Sequence, residues 1–171
     1  MELLIPGLII VALMVWASTK IKRNAARAYE SELIEGDGFT LEKPEGFLNR
    51  IGSRDGHLFD AYSKDFGTDS AADIRAATAV VYKTDTSLYE SASLEQSRLT
   101  NSDRSERFLL DGSDCIIVTG QTTHDDNAFV VSEKFLSSGG RTLVLKVEAL
   151  QELSGDLKRK IEEMLLSFTI R

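Results

Sequence analysis

The sequence predicts an α+β fold: an antiparallel β-sheet, with a meander in its C-terminal half, packed by a C-terminal helix and preceded by an N-terminal transmembrane helix. Three observations carry this prediction. Residues 3–19 contain no charge. Residues 105–149 alternate apolar strands with turn residues. Residues 154–168 repeat apolar side chains at helical spacing, and this apolar face must cover the sheet.

The N-terminal segment is expected to anchor the chain in a membrane. Ten of the seventeen residues from Leu3 to Thr19 are Leu, Ile, Val or Met. A cleaved signal peptide would need a positive n-region, and Met1 and Glu2 supply no Lys or Arg. The anchoring residues are Leu3, Leu4, Ile5, Leu8, Ile9, Ile10, Val11, Leu13, Met14, Val15 and Trp16.

Basic side chains flank the C-terminal side of this segment. They are Lys20, Lys22, Arg23 and Arg27. Because positive residues stay on the cytoplasmic side, we expect the N-terminus outside and the domain in the cytoplasm; the alternative places the domain on the outer, periplasmic face. We expect the anchor over residues 1–22, a juxtamembrane helical stalk over residues 23–36 and a single domain over residues 37–171.

The charge of the chain excludes one class of partner. The chain has 20 basic and 27 acidic residues, and Met1–Arg27 holds four of the basic and one of the acidic ones. The remainder has 16 and 26, a net charge of about −10. Nucleic-acid binding needs a basic face, so we expect no nucleic acid among the partners.

The first half of the domain predicts three strands and a helix. Strands are expected at Phe39–Glu42, at residues 57–66 and at residues 74–83, where the alanines also allow a helix. A short exposed helix is expected between Thr86 and Leu99. Binding often resides in such a connection at the edge of a rigid sheet. Its possible partner surface consists of Leu88, Tyr89, Leu94 and Leu99.

The second half predicts four strands joined by short turns. Asp-Gly at residues 111–112 is a favoured hairpin turn, and residues 124–127 and 137–140 make the next two. On the strands, Phe129, Val131 and Phe135 share one face, as do Leu143, Leu145, Val147 and Ala149. The closing helix starts near Ser154, a good N-cap residue.

A family resemblance accompanies these elements. The start "GFTLEKPEGF", the strands "FVVSEKFLSSGGRTLVLKVEA" and the closing helix "IEEMLLSFTI" resemble the PsbP/Mog1-like αβα sandwich, and the bacterial membrane-associated DcrB-like proteins are similar in outline. The resemblance covers about residues 36–171. It implies a non-enzymatic accessory domain that binds or helps to assemble a larger complex, and it assigns no functional residue.

Each candidate reactive residue has a structural interpretation. His124, Asp125 and Asp126 lie on a predicted hairpin turn, where Asp bonds its own backbone. His57 follows an Asp-Gly turn, and Cys115 lies in an apolar strand, where free cysteine behaves as a small hydrophobe. We therefore assign no catalytic, cofactor-binding or metal-binding residue, and we expect no cofactor.

Three functions follow from these features. The first is a membrane-anchored accessory or scaffold protein whose acidic domain binds a protein partner without catalysis. The second is a small-molecule or ion-binding sensor tethered to the membrane. The third is an enzyme that would use Cys115 or His124. We expect the first, because it accounts for the anchor and the compact acidic domain together.

Overall fold

A computed structural model describes residues 4–52, 56–108 and 114–171, with the backbone alone for 4–6, 24 and 106–108. The α-helices in these residues are α1 (Leu4–Ala28), α2 (Leu88–Arg98) and α3 (Gly155–Ser167). Its strands in the described residues are β1 (Glu32–Gly36), β2 (Phe39–Lys43), β3 (Phe47–Asn49), β4 (His57–Ser63), β5 (Ala77–Thr84), β6 (Thr100–Phe108), β7 (Asp114–His124), β8 (Asn127–Ser138), β9 (Arg141–Leu150) and β10 (Thr169–Ile170).

The strands form two antiparallel sheets. The larger sheet has the order β3-β4-β5-β9-β8-β7-β6, and the smaller has the order β1-β2-β10. One face of the larger sheet packs against α3 and the smaller sheet through a core that includes Phe39, Leu145, Met164 and Phe168. The other face packs against α2. The α+β class, the antiparallel sheet and the packed C-terminal helix are therefore confirmed.

The C-terminal meander follows the predicted turns. Asp125 and Asp126 have φ values of 49° and 62°, and Gly139 and Gly140 have values of 57° and 81°. Left-handed residues at both central positions match the twist of a two-residue hairpin, and Asp and Gly tolerate this conformation. The hairpin turn predicted at residues 111–112 lies outside the described residues.

Helix α3 begins and packs as its sequence indicates. The Ser154 hydroxyl accepts a hydrogen bond of 3.2 Å from the Leu157 backbone N–H, which caps the helix. Leu157, Ile161 and Met164 are buried on one face. The far end is held by Lys134 of β8, whose Nζ donates to the carbonyl oxygens of Leu165 and Phe168 at 2.9 and 2.7 Å. This end of α3 is thus attached to the sheet.

The predicted helical stalk over residues 23–36 is wrong in its second half. Helix α1 ends at Ala28, and Glu32–Gly36 forms β1, which pairs with β2 in register from Glu32↔Lys43 to Gly36↔Phe39. The residues from Ser31 onward are acceptable in a helix, but β2 offers an unpaired edge and Ile34 packs against the core. Tertiary pairing therefore overrides local helix propensity.

Several boundaries also differ from the sequence prediction. The second predicted strand ends at Ser63 and the third begins at Ala77, because the chain between them loops through a short 3₁₀ helix at Asp69–Ala71. The alanines of β5 form a strand because they face the packed core. The short strands β3 and β10 have no sequence signal of their own.

Helix α1 carries its apolar side chains on the surface of the molecule. Large hydrophobic side chains from Leu8 to Ile21 are between 55% and 68% exposed. Among the residues that the structure describes, no helix combines the length and the hydrophobicity that crossing a membrane requires. Leu3 and the side chains of Leu4 and Ile5, which belong to the predicted anchor, lie outside that description.

Candidate functional site

The residues predicted to form a partner surface lie on helix α2 and at its C-cap, Leu99. The Ser87 hydroxyl caps its first turn by accepting from the Glu90 backbone N–H. Leu88 is buried against the sheet, and Leu99 is half-buried beside it. Tyr89 and Leu94 are each 50% exposed. The partner surface on α2 remains a prediction, and Tyr89 and Leu94 are its accessible apolar residues.

The end of α2 sits closely on the sheet. Gly120 of β7 lies beneath Leu99, so that a Cβ atom added at residue 120 would be 2.7 Å from the Leu99 Cβ. Arg104 of β6 donates to the Ser93 hydroxyl at 3.0 Å, and its guanidinium carbon lies 5.7 Å from the Tyr89 ring centroid. These contacts orient the exposed side of α2.

A cluster of ionisable side chains lies between α2 and the sheet. Lys146 Nζ of β9 is 3.2 Å from Glu95 Oε1 of α2 and 3.1 Å from Glu133 Oε1 of β8. Glu133 is only 1% exposed. Its contact with Lys146 is a close ion pair without hydrogen-bond geometry, since neither carboxylate oxygen has a hydrogen-bond donor in the described residues. Arg98 pairs with Glu95 at the outer rim.

The pKa values in this cluster follow from burial and from the charges. Burial raises the pKa of Glu133 to about 7, and the positive charge of Lys146 opposes the shift. Burial acts to lower the pKa of Lys146, but Glu133 and Glu95 outweigh it and the pKa lies above its usual value. Burial, followed by the charges of Glu133 and Glu95, raises the pKa of Tyr82. The ion pair between Lys146 of β9 and Glu95 thus attaches α2 to the sheet.

Sequence reasoning missed this cluster, although a signal was present. Glu133 falls at a position of β8 that shares its face with Val131 and Phe135. A carboxylate in register with apolar residues is expensive to bury without a partner. The partner Lys146 lies directly opposite on β9. The alternation of β8 and β9 could therefore have indicated a buried ion pair.

The reactive residues considered in the sequence lie apart. Cys115 is 2% exposed and belongs to the main core. His124 lies at the end of β7 with Nε2 3.1 Å from Glu148 Oε1, and His57 Nδ1 lies 3.7 Å from Asp60 Oδ2. Nowhere in residues 4–52, 56–108 and 114–171 do three His, Cys, Asp or Glu side chains form a group that could hold a metal ion.

An open groove runs between α3 and the neighbouring face of the sheet. Its volume is about 560 Å³. Apolar residues of β8, β9 and α3, including Val130, Val147 and Leu165, line it together with Lys158 and Gln121. The groove offers space for a small amphipathic molecule.

The chain has a recognisable fold without a recognisable sequence family. No protein-family model and no curated protein matches it. Among solved structures, LpqN of Mycobacterium tuberculosis, described as involved in cell envelope biogenesis, has a TM-score of 0.54 at 15% identity. The alignment covers 82% of this chain and 90% of LpqN.

Two further structures share the fold. Cyanobacterial PsbP (CyanoP) of Synechocystis has a TM-score of 0.56 at 12% identity, over 84% of this chain and 94% of that protein. The Ran-binding protein Mog1p of Saccharomyces cerevisiae has a TM-score of 0.52 at 12% identity, over 83% and 96%. The chain therefore has the PsbP/Mog1-like fold, as the sequence resemblance implied.

Proposed function

We propose that the chain is a membrane-anchored, non-enzymatic accessory protein whose acidic α+β domain binds a protein partner. The fold supports the binding role, because Mog1p, which has the same fold, is described as a Ran-binding protein. The observation that carries the proposal is the apolar surface of α1, from Leu8 to Ile21, which is exposed beside a separately packed domain.

Helix α1 supports anchoring through its side chains. An isolated run of exposed large hydrophobic residues is costly in water, and insertion into lipid removes that cost. The Lys20 ammonium lies 5.0 Å from the Trp16 ring centroid, and both side chains are typical of the membrane interface. The basic residues that follow favour an anchor with the N-terminus outside and the domain in the cytoplasm.

Lipid quenching of tryptophan fluorescence tests the anchor. Trp16 is the only tryptophan of the chain, so its emission reports α1 alone. We expect vesicles with brominated acyl chains to quench Trp16 strongly. The matched control carries Trp16→Phe and Tyr89→Trp, which moves the fluorophore to an exposed position on α2, and it should be unquenched. Unquenched Trp16 in vesicle-bound chain would contradict anchoring through α1.

A small-molecule sensor is the second candidate function, and the groove beside α3 favours it. A ligand that binds only the folded state raises the melting temperature. If the chain is a sensor, some compounds in a library of amphipathic small molecules should raise the Tm of the native chain. The same compounds should not raise the Tm of a Val130→Trp variant, in which a large side chain occupies a half-buried position of the groove wall. Equal shifts in both chains would exclude the groove as the sensor site.

A further inference from the structure

We propose that the domain binds an acidic segment of its protein partner on a surface at the β3–β4 edge of the larger sheet. The surface, called here the arginine–aromatic surface, consists of Leu48, Arg50, Ile51, Tyr62, Phe66 and Arg75. This inference rests on the proposed function, because it names the site and the chemistry of the partner. It lies apart from α2, which packs over β6 to β9 at the other end of the sheet.

Arg75 is held rigidly between two aromatic rings. Its guanidinium carbon lies 3.9 Å from the centroid of Phe66 and 4.6 Å from that of Tyr62. Its Nη1 donates to the carbonyl oxygens of Ser63 and Lys64 at 3.3 and 3.1 Å. Stacking and these two hydrogen bonds fix the planar group before any partner arrives, which lowers the entropic cost of binding.

Arg75 also lacks a carboxylate partner among the described residues, although the domain is acidic. Among the described residues, five other arginines lie within 3.5 Å of a carboxylate oxygen: Arg50, Arg98, Arg141, Arg159 and Arg171. The Nε and Nη2 groups of Arg75 have no hydrogen-bond acceptor in the described part of the chain. Because Nε and Nη2 are available and Arg75 is half-buried and ordered, its guanidinium is suited to bind a carboxylate from outside the domain.

Arg50 places a second positive charge on the same ring. Its guanidinium carbon lies 5.7 Å from the Tyr62 centroid, and its Nε is 3.2 Å from the buried carboxylate of Asp60. Arg50 and Arg75 therefore both lie over the Tyr62 ring, and of the two only Arg50 has a carboxylate partner among the described residues. The surplus positive charge favours an anionic ligand that lies across Tyr62.

Apolar side chains border the two guanidinium groups. Ile51 is fully exposed and Phe66 is 47% exposed. Leu48 pairs directly with Tyr62 across the strands, and with Ile51 they line one cavity of about 310 Å³. Arginine and tyrosine beside exposed aliphatic groups are the residues that dominate protein interfaces.

The charge distribution favours a protein segment over a lipid surface. The domain outside α1 has a net charge of about −10, so an anionic membrane repels it as a whole. A short acidic segment of a protein feels this repulsion less when it contacts the arginine–aromatic surface alone. The acidic remainder of the domain repels the acidic segment from other positions on its surface, so the segment binds in one place.

A peptide-display selection on the full chain tests the inference. The chain is held in phosphatidylcholine nanodiscs, a library of randomised peptides is selected against it, and empty nanodiscs remove non-specific binders. We expect the selected peptides to be enriched in Asp and Glu. Their affinity should fall about tenfold for Arg75→Gln and remain unchanged for Arg159→Gln, an exposed arginine on α3.

A second variant keeps the test independent of folding. Ile51 has no protection from solvent, so Ile51→Asp leaves the core intact while it adds a negative charge to the surface. This variant should also abolish binding of the acidic peptides. Leu166→Asp, at a 66% exposed position on α3, is the matched control and should bind normally.

The outcomes distinguish the inference from the proposed function. Selected peptides without acidic enrichment, or insensitive to Arg75→Gln and Ile51→Asp, would overturn the arginine–aromatic surface while partner binding elsewhere on the domain survives. Binding to phosphatidylserine nanodiscs that depends on Arg50 and Arg75 would overturn it in favour of a lipid surface. A selection that returns no binder would contradict both.

Discussion

At the residue scale, the neighbouring buried residues Glu133 and Lys134 differ in how their charges are compensated. Lys134 replaces its lost hydration with two carbonyl oxygens at the end of α3. Glu133 has the close charge of Lys146 but no hydrogen-bond donor among the described residues. Burial disfavours the charged form of this carboxyl group, which is why its pKa rises although the positive charge of Lys146 opposes the shift.

Glu133 makes the stability of the domain depend on pH. Its pKa is about 7 in the folded protein against 4.5 when exposed, so its contribution to stability is complete below about pH 4.5. That contribution is lost as the pH rises through 7, by an amount on the order of 3 kcal/mol. Glu133→Gln should therefore become progressively more stable than the native chain between about pH 4.5 and pH 8.

Chemical denaturation across this pH range measures the difference in unfolding free energy. Ser97→Ala is the control, because Ser97 is exposed on α2 and neither serine nor alanine has a side chain that titrates in this pH range. Its difference from the native chain should stay nearly constant with pH. A constant difference for Glu133→Gln as well would contradict a carboxyl group that ionises near neutral pH.

The arginine–aromatic contacts could not be predicted at this scale. Arg75 and Tyr62 are joined by the irregular loop between β4 and β5, and no periodicity of the sequence relates them. By contrast, the left-handed turn at Asp125 and Asp126 depends on neighbouring residues alone and was predictable. Local turn chemistry is readable in the sequence, whereas contacts across a loop require the fold.

At the element scale, a helix or strand could be predicted when its own residues show apolar periodicity and end in turn or capping residues. Helix α3 and strands β7 to β9 have apolar periodicity and turn residues at their ends, and they form as predicted. Strand β1 has neither and exists because β2 offers it an edge. The N-terminal stalk was therefore misassigned where a helix and a strand had similar local propensities.

The contact between α2 and β7 should tolerate no added methyl group. Gly120→Ala would place a Cβ 2.7 Å from the Leu99 Cβ and 3.1 Å from the Thr100 carbonyl oxygen. We expect a loss of about 1–3 kcal/mol in unfolding free energy from overpacking. The measurement is urea denaturation monitored by circular dichroism.

Gly155→Ala provides the matched control for this substitution. Gly155 is the first residue of α3, and no atom outside its neighbours lies within 4 Å of its added Cβ. Alanine has the higher helix propensity, so this variant should be neutral or slightly more stable. Equal effects of the two substitutions would show that the close approach of α2 to β7 does not determine the cost.

At the scale of the whole molecule, an apolar helix precedes an acidic domain. The basic residues from Lys20 to Arg27 lie in the last turns of that helix, next to the domain. A single anchor with this flank predicts that the domain faces the cytoplasm. A protease treatment of sealed vesicles, with a tag after Arg171, measures the orientation.

The tag should be protected in intact cells and cut in inverted vesicles. A tag that is cut from the outside of intact cells would reverse the orientation. The DcrB-like alternative, with the domain on the periplasmic face, would then take precedence. The position of the arginine–aromatic surface on the domain would be unaffected, but its partner would be an exported protein.

Photo-crosslinking from Ile51 in the native membrane tests the central claim most directly, because Ile51 is fully exposed on the arginine–aromatic surface. A benzoylphenylalanine at residue 51 should give one reproducible protein adduct that disappears with Arg75→Gln, while the same probe at Leu166 should not give it. No adduct at residue 51, or one that persists with Arg75→Gln, would contradict a partner-binding domain that acts through this surface.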